Sequence, residues 1–144
     1  MSPQLRAHFA DYAAFHATPG NQACHYVAVP LIVFTVFALL AQVPLATVGG
    51  FTVTLAEVLI VLATVYYLTL DVSLALMMLI ASIACAWVGR SIPPMAALAV
   101  FAAAWVLQFV GHYVYEHRSP AFFRNVAHLL VGPLWVLAKA TRRA

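Results

Sequence analysis

Residues 53–89 read VTLAEVLIVLATVYYLTLDVSLALMMLIASIACAWVG, and only Glu57 and Asp71 in that stretch are charged. Asp71 stands between two apolar runs, about 53–70 and 72–89, each near the ~20 residues that a helix needs to cross ~30 Å of hydrocarbon. Backbone polar groups cannot stay unpaired in lipid, so both runs are expected to be helices. One residue between them makes a tight hairpin. Working outward, further apolar runs cover about 27–43, ending at Pro44, and about 94–115, following Pro93-Pro94. Gly49-Gly50 marks the break before the hairpin. From Val27 to Tyr115 the only Asp, Glu, Lys or Arg residues are Glu57, Asp71 and Arg90. The expected fold is all-α: a polytopic membrane helical bundle of about four transmembrane helices, forming a single membrane-embedded domain over residues 1–144.

Composition agrees. The chain is 65% hydrophobic and 8% charged, with mean hydropathy +0.98. Soluble domains are about half apolar and a quarter charged, and 144 residues enclose too little interior to hide such a surplus. The net charge of +3 does not point to nucleic acid, because five of the seven Lys and Arg residues follow position 117. A terminal basic cluster is what an anionic membrane face attracts. Cys24 and Cys85 make neither a disulfide framework nor a zinc pattern. MSPQLRAHFADYAAFH has no apolar core or cleavage site, so it does not read as a signal peptide.

Two flanking amphipathic helices are expected. Residues 3–17 follow Ser2-Pro3, an N-cap and first-turn pair, and put Leu5, Phe9, Tyr12 and His16 on one face, with Arg6 and Asp11 elsewhere. Residues 120–139 follow Ser119-Pro120; Phe122, Val126, Leu129 and Leu130 make the apolar face, with Arg124 and His128 opposite. Both read as helices on or dipping into the membrane surface. Arg6, Arg118, Arg124, Lys139, Arg142 and Arg143 share one side and Arg90 lies on the other, so both termini are expected to be cytoplasmic. The alanine-rich composition suggests a bacterial inner membrane. Ala102, Ala103 and Ala104 allow a close helix contact within a monomer or in a homo-oligomer.

Six histidines occur, none between His25 and His112. Antiparallel spans bring His8, His16 and His25 to the membrane face that holds His112, His117 and His128. Gln108, His112 and Glu116 recur every four residues and share a face of an ideal helix. In His16-Ala-Thr-Pro-Gly-Asn-Gln-Ala-Cys-His25, Pro19-Gly20 breaks the chain and Asn21 can cap the next helix, so a corner can aim both imidazoles at one point. Three histidines and an acid at one face match the imidazole-plus-carboxylate pattern of non-heme iron. The competing reading is an interfacial belt of aromatic and histidine side chains, with Glu116 wet and paired to Arg118. His8, His117 and His128 read as belt residues, and Glu57, Asp71 and Arg90 as residues of span ends.

The order Tyr12-x3-His16-x4-Asn21-x3-His25-x4-Pro30, then a hydrophobic hairpin, then Gln108-x2-Gly111-His112-x3-Glu116-x3-Pro120-Ala121, then Gly132-Pro133 resembles the 2-hydroxy fatty acid dioxygenase family first characterised in fungi. The resemblance covers nearly the whole chain. The sequence departs from the family pattern at Ala28, where glycine is usual, and at Leu134-Trp135, where Leu-Phe is usual. The resemblance implies a small multi-span enzyme that uses Fe(2+) and dioxygen to shorten a 2-hydroxy fatty acid by one carbon, releasing CO2. It implies His16, His25 and His112 as iron ligands and matches Glu116 and Asn21 to motif positions. The residues' own chemistry then has Glu116 completing or bracing the site and Gln108 or Asn21 hydrogen-bonding a ligand. The acyl tail is expected among the spans, in membrane lipid-like surroundings, with Arg6, Arg118 or Arg124 steering the carboxylate.

The alternatives are a b-type haem membrane protein and a non-enzymatic membrane scaffold. A diiron hydroxylase ranks low, because such enzymes need about eight clustered histidines, as their family pattern implies. A transporter ranks low because the spans are few and no charged pathway crosses them.

Overall fold

The computed structural model describes residues 1–123 and 125–143. Arg124, expected on the polar face of the last helix and as a candidate for steering the carboxylate, lies outside the described residues. The described chain is all-α apart from one small hairpin. Its elements are α1 (Pro3–Ala14), α2 (Pro19–Leu40), β1 (Pro44–Val48), β2 (Phe51–Thr54), α3 (Leu55–Leu70), α4 (Val72–Gly89), α5 (Pro94–Val110) and α6 (His128–Ala140). A π turn over Gly111–Tyr115 prolongs α5, and a single 3₁₀ turn covers Ala121–Phe123. Two compact units are formed, residues 1–30 with 103–144, and residues 31–102.

In the second unit, Thr54 and Glu57 form a capping box that starts α3. The Thr54 N–H and hydroxyl both donate to Glu57 Oε2, at 2.7 and 2.6 Å. Arg90 reaches Glu57 Oε1 at 2.8 Å and donates to the Thr52 carbonyl. The acid at the start of α3 and the base at the end of α4 are therefore structural fasteners. Asp71 closes α3 and caps α4, its carboxylate accepting the Leu74 N–H at 3.0 Å. The tight hairpin expected from that single residue is present, and α3 packs along α4. Phe37, Ala41, Ala56, Ile60 and Ala86 form the buried centre. Many other apolar side chains of this unit face outward, among them Leu62, Ile80 and Trp87. An outward apolar surface is stable when the solvent is lipid.

Three helical segments are long and apolar enough to cross a membrane: Pro19–Leu40, Val72–Gly89 and Pro94–Tyr115. The chain is thus a membrane protein by length and hydropathy. α3, the remaining expected span, has 16 residues, about 24 Å of helix.

The hairpin between α2 and α3 was not expected. Hydropathy marks Gly49-Gly50 only as a break, but both glycines have positive φ, 56° and 82°. That is what a two-residue turn between antiparallel strands requires, and Val48 pairs with Phe51 across it.

In the first unit, Ser2 caps α1 as expected, and Leu5, Phe9 and Tyr12 are buried. The last helix differs from expectation. Asn125 Oδ1 accepts the Ala127 N–H at 3.1 Å, a local bond that competes with helix. The Ser119-Pro120 start signal therefore yields one 3₁₀ turn, and α6 begins only at His128. Its buried side carries His128, Val131, Leu134, Trp135 and Ala138, packed toward α1, whereas Val126, Leu129 and Leu130 are exposed. The face chosen from sequence does not pack because α6 starts eight residues later than expected: Phe122 and Val126 lie outside it, and Val131, Leu134 and Trp135 supply its buried apolar side.

Candidate metal centre

His16 lies in the corner after α1, His25 in the second turn of α2, and His112 at the start of the π turn. All three imidazoles are buried, and one nitrogen from each falls within 4.8 Å of the others. The corner is built locally. Pro19 occupies the first position of α2, where a missing N–H costs nothing. The cap is Thr18 rather than Asn21: Thr18 Oγ1 accepts the Asn21 N–H at 3.4 Å. Asn21 sits one turn inside and spends its side chain elsewhere.

The ring orientations are set by carbonyls four residues back. His16 Nδ1 lies 2.6 Å from the Tyr12 carbonyl, and His25 Nδ1 lies 2.9 Å from the Asn21 carbonyl. A carbonyl only accepts, so both Nδ1 atoms carry the hydrogen and both Nε2 atoms present lone pairs. Those two Nε2 atoms face each other at 3.0 Å. Two lone pairs at that distance need a cation between them. A proton is disfavoured, because burial pushes His16 down to about 4, outweighing the opposing help of the Tyr12 carbonyl. A metal ion suits the donor set: nitrogens ~2.0–2.1 Å from one ion stand about 3 Å apart in neighbouring positions. His112 Nδ1 is buried without a hydrogen-bond partner. The residues present therefore fit a metal bound by three neutral imidazoles, the form in which histidine ligates.

Glu116 stands beside this group, and its carboxylate is turned to the corner. Oε1 accepts the Ala17 N–H, and Oε2 accepts the Thr18 N–H, the Thr18 hydroxyl and the Asn21 amide, at 2.9–3.1 Å. Partial burial works to raise this carboxyl, but the donors from Thr18, Asn21 and Ala17 outweigh it and hold it at about 2. The π turn explains the direction. Glu116 N–H bonds back to Gly111, five residues earlier, so Glu116 falls short of a full turn beyond His112. The ideal helical spacing of His112 and Glu116 thus breaks at the site, where π turns are common. Arg118, the partner expected for Glu116 in the interfacial reading, is exposed, and Glu116 is satisfied by the corner instead.

Close packing completes the wall. A Cβ on Gly111 would lie 2.6 Å from Asn21 Oδ1 and 3.0 Å from Cys24 Cβ, so only glycine lets α2 and the π turn approach this closely. The Tyr12 ring stacks on His16, 3.9 Å between centroids and 11° from parallel. Trp135 packs on Tyr12 and reaches His16. His128, read from sequence as a belt residue, is buried, and its Nε2 lies 2.7 Å from Asp11 Oδ2. No sequence signal links positions 11 and 128, whereas the Tyr12-x3-His16 spacing did carry the stack. His8 and His117 stay outside the three-histidine group; His117 is exposed and has φ 53°. Gln108 lies one turn before His112, its Oε1 buried and unpartnered. The three imidazoles touch ring to ring, at 4.2–4.9 Å between centroids, which leaves no slot for a porphyrin plane between any two.

The sequence itself matches a known family. A family profile described as 2-hydroxy-palmitic acid dioxygenase Mpo1-like matches residues 2–144. The chain belongs to the Mpo1-like family. Among Mpo1-like relatives, 2-hydroxy-palmitic acid dioxygenase MPO1 of Saccharomyces cerevisiae is 27% identical over 134 residues, covering 92% of this chain and 77% of that protein. No solved structure gives a significant match to this Mpo1-like chain. Family membership places the protein among oxidoreductases named as dioxygenases, and the three-histidine group gives it a site able to bind a metal.

Proposed function

We propose that this protein is an Fe(2+)-dependent dioxygenase that converts a 2-hydroxy fatty acid to the acid one carbon shorter. The observation that carries this reading is the pair of facing Nε2 lone pairs on His16 and His25, with His112 beside them, in a chain of this family. The overall change is R–CH(OH)–COO⁻ + O₂ → R–COO⁻ + CO₂ + H₂O. The C1–C2 bond breaks, C1 leaves as carbon dioxide, and the substrate gives four electrons to dioxygen.

His16, His25 and His112 hold the iron. When bound, iron supplies the one-electron chemistry that lets dioxygen react and Lewis acidity toward the hydroxyl and carboxylate oxygens. The chain does the rest. The Tyr12 and Asn21 carbonyls fix the tautomers that leave Nε2 free. Glu116 braces the corner through Ala17, Thr18 and Asn21, which sets the distance from His16 to His25. Tyr12 and Trp135 cover His16 and exclude water. The acyl tail lies among the apolar helices. An open groove of about 460 Å³ between α2 and α6, lined by Tyr26, Pro30, Val136, Lys139 and Ala140, shows the apolar character that a tail requires.

The proposed topology has four crossings, with α3 as the short one and both termini cytoplasmic, as the terminal Lys and Arg residues favour. The test is anaerobic loading with ferrous ion, metal analysis, and an absorption spectrum, followed by 2-hydroxyhexadecanoate and oxygen. One iron per chain, no haem band, and pentadecanoate with carbon dioxide support the reading. Absence of bound metal after reconstitution overturns it.

A further inference from the structure

We propose that Gln108 Oε1 receives the 2-hydroxyl hydrogen of the substrate, making Gln108 the residue that selects 2-hydroxy acids over unsubstituted fatty acids. This rests on the dioxygenase reading above.

Among the described residues, four buried side-chain atoms lack a hydrogen-bond partner: Asn21 Oδ1, Gln108 Oε1, His112 Nδ1 and His128 Nδ1. Three are accounted for. Asn21 is pinned through its amide nitrogen by Phe15 and Glu116, and its oxygen lies in the close contact with Gly111. His112 belongs to the metal group. His128 is held by Asp11 and packs against Tyr12 and Phe15. Gln108 remains. Its side chain is half-buried, while its oxygen is covered and unpaired.

Position gives that oxygen its meaning. Gln108 precedes His112 by four residues on α5, about 6 Å along the helix axis, on the side where the chain enters the apolar span. A polar side chain in an apolar helix is costly unless it finds a partner. An amide oxygen needs a donor. Carboxylate oxygens, dioxygen and the histidine lone pairs are all acceptors. The hydroxyl on C2, one carbon from the carboxylate, is the substrate's only donor near the reacting bond. A hydroxyl can offer its oxygen lone pair to a metal that the three histidines would hold and its hydrogen to Gln108 at once. An unsubstituted fatty acid leaves Oε1 unpaired, and sites built to hydrogen-bond a hydroxyl discriminate strongly against analogues that lack it.

The test uses zinc-loaded, full-length protein, which binds without turnover. Affinities are measured for 2-hydroxyhexadecanoate, 2-fluorohexadecanoate and hexadecanoate by displacement of a fluorescent fatty acid. The fluoro acid is close in size and has no donor. In the native protein the hydroxy acid should bind at least about tenfold tighter than either analogue. Gln108→Met should bring the three within about twofold of one another with one zinc per chain retained, and Gln108→Glu should restore the preference. Equal native affinity for the hydroxy and fluoro acids overturns the proposal, as does an unchanged preference in Gln108→Met. Loss of zinc in Gln108→Met also overturns it, because Gln108 would then be orienting His112. Failure of the native protein to bind any of the three acids overturns the dioxygenase reading instead.

Discussion

His16 and His25 face each other through Nε2 atoms 3.0 Å apart, with each Nδ1 already committed to a backbone carbonyl. Neither ring has a hydrogen to offer the other. Replacing either with alanine should abolish stoichiometric metal binding, and His112→Ala should do the same. His8→Ala and His117→Ala should keep one metal per chain. Elemental analysis of the five purified variants decides it; full stoichiometry in His112→Ala removes that residue from the ligand set.

Glu116 accepts four hydrogen bonds from the corner that carries His16. Glu116→Gln keeps the shape but loses the charge at the start of α2. Metal affinity should weaken by about 10–100-fold, the usual effect of disturbing an outer partner, with stoichiometry preserved at saturating metal. A competition titration with a chelator measures this. A variant that binds no metal at saturation would make Glu116 a ligand.

The metal-free protein should lose stability in acid in a defined window. Burial lowers His16 from 6.5 in the unfolded chain to about 4 in the fold. The unfolded chain therefore takes up the proton first, so this contribution is complete above pH ~6.5 and declines as pH falls toward 4, by about 3 kcal/mol in all. Glu116, lowered from 4.5 to about 2, keeps its charge through that window. Its contribution is lost only as pH falls from about 4.5 toward 2. Thermal unfolding of apo protein at stepped pH should show the first decline, and His16→Phe should lessen it.

Gly111→Ala should destabilise the protein by about 1–3 kcal/mol, because the new methyl meets Asn21 Oδ1 and Cys24 Cβ inside a close-packed contact. Metal affinity should fall with it, since the displaced wall carries His25 and His112. Ala104→Gly, on α5 and away from the corner, gives the comparison: comparable unfolding without loss of metal affinity. Equal metal affinity in native and Gly111→Ala protein would contradict the packing argument.

Much of this molecule was legible in order of residues alone. Apolar runs broken by Asp71, Pro44 and Pro93-Pro94 specified helices and a hairpin, because lipid leaves a backbone no other way to satisfy its polar groups. His16, His25 and His112 were likewise visible, from the corner at Pro19-Gly20 and the spacing of His112 before Glu116. The sequence also settled family membership. Tertiary structure decided the rest. Glu116 turns toward Thr18 because a π turn, which no residue pattern announced, changes its direction from His112. His128 is buried against Asp11 across 117 positions, and α6 buries Val131, Leu134 and Trp135 rather than Leu129 and Leu130. Periodicity reports what each segment prefers by itself. Which side meets a neighbour, and which polar atoms find partners, is set by contacts between segments far apart in the chain.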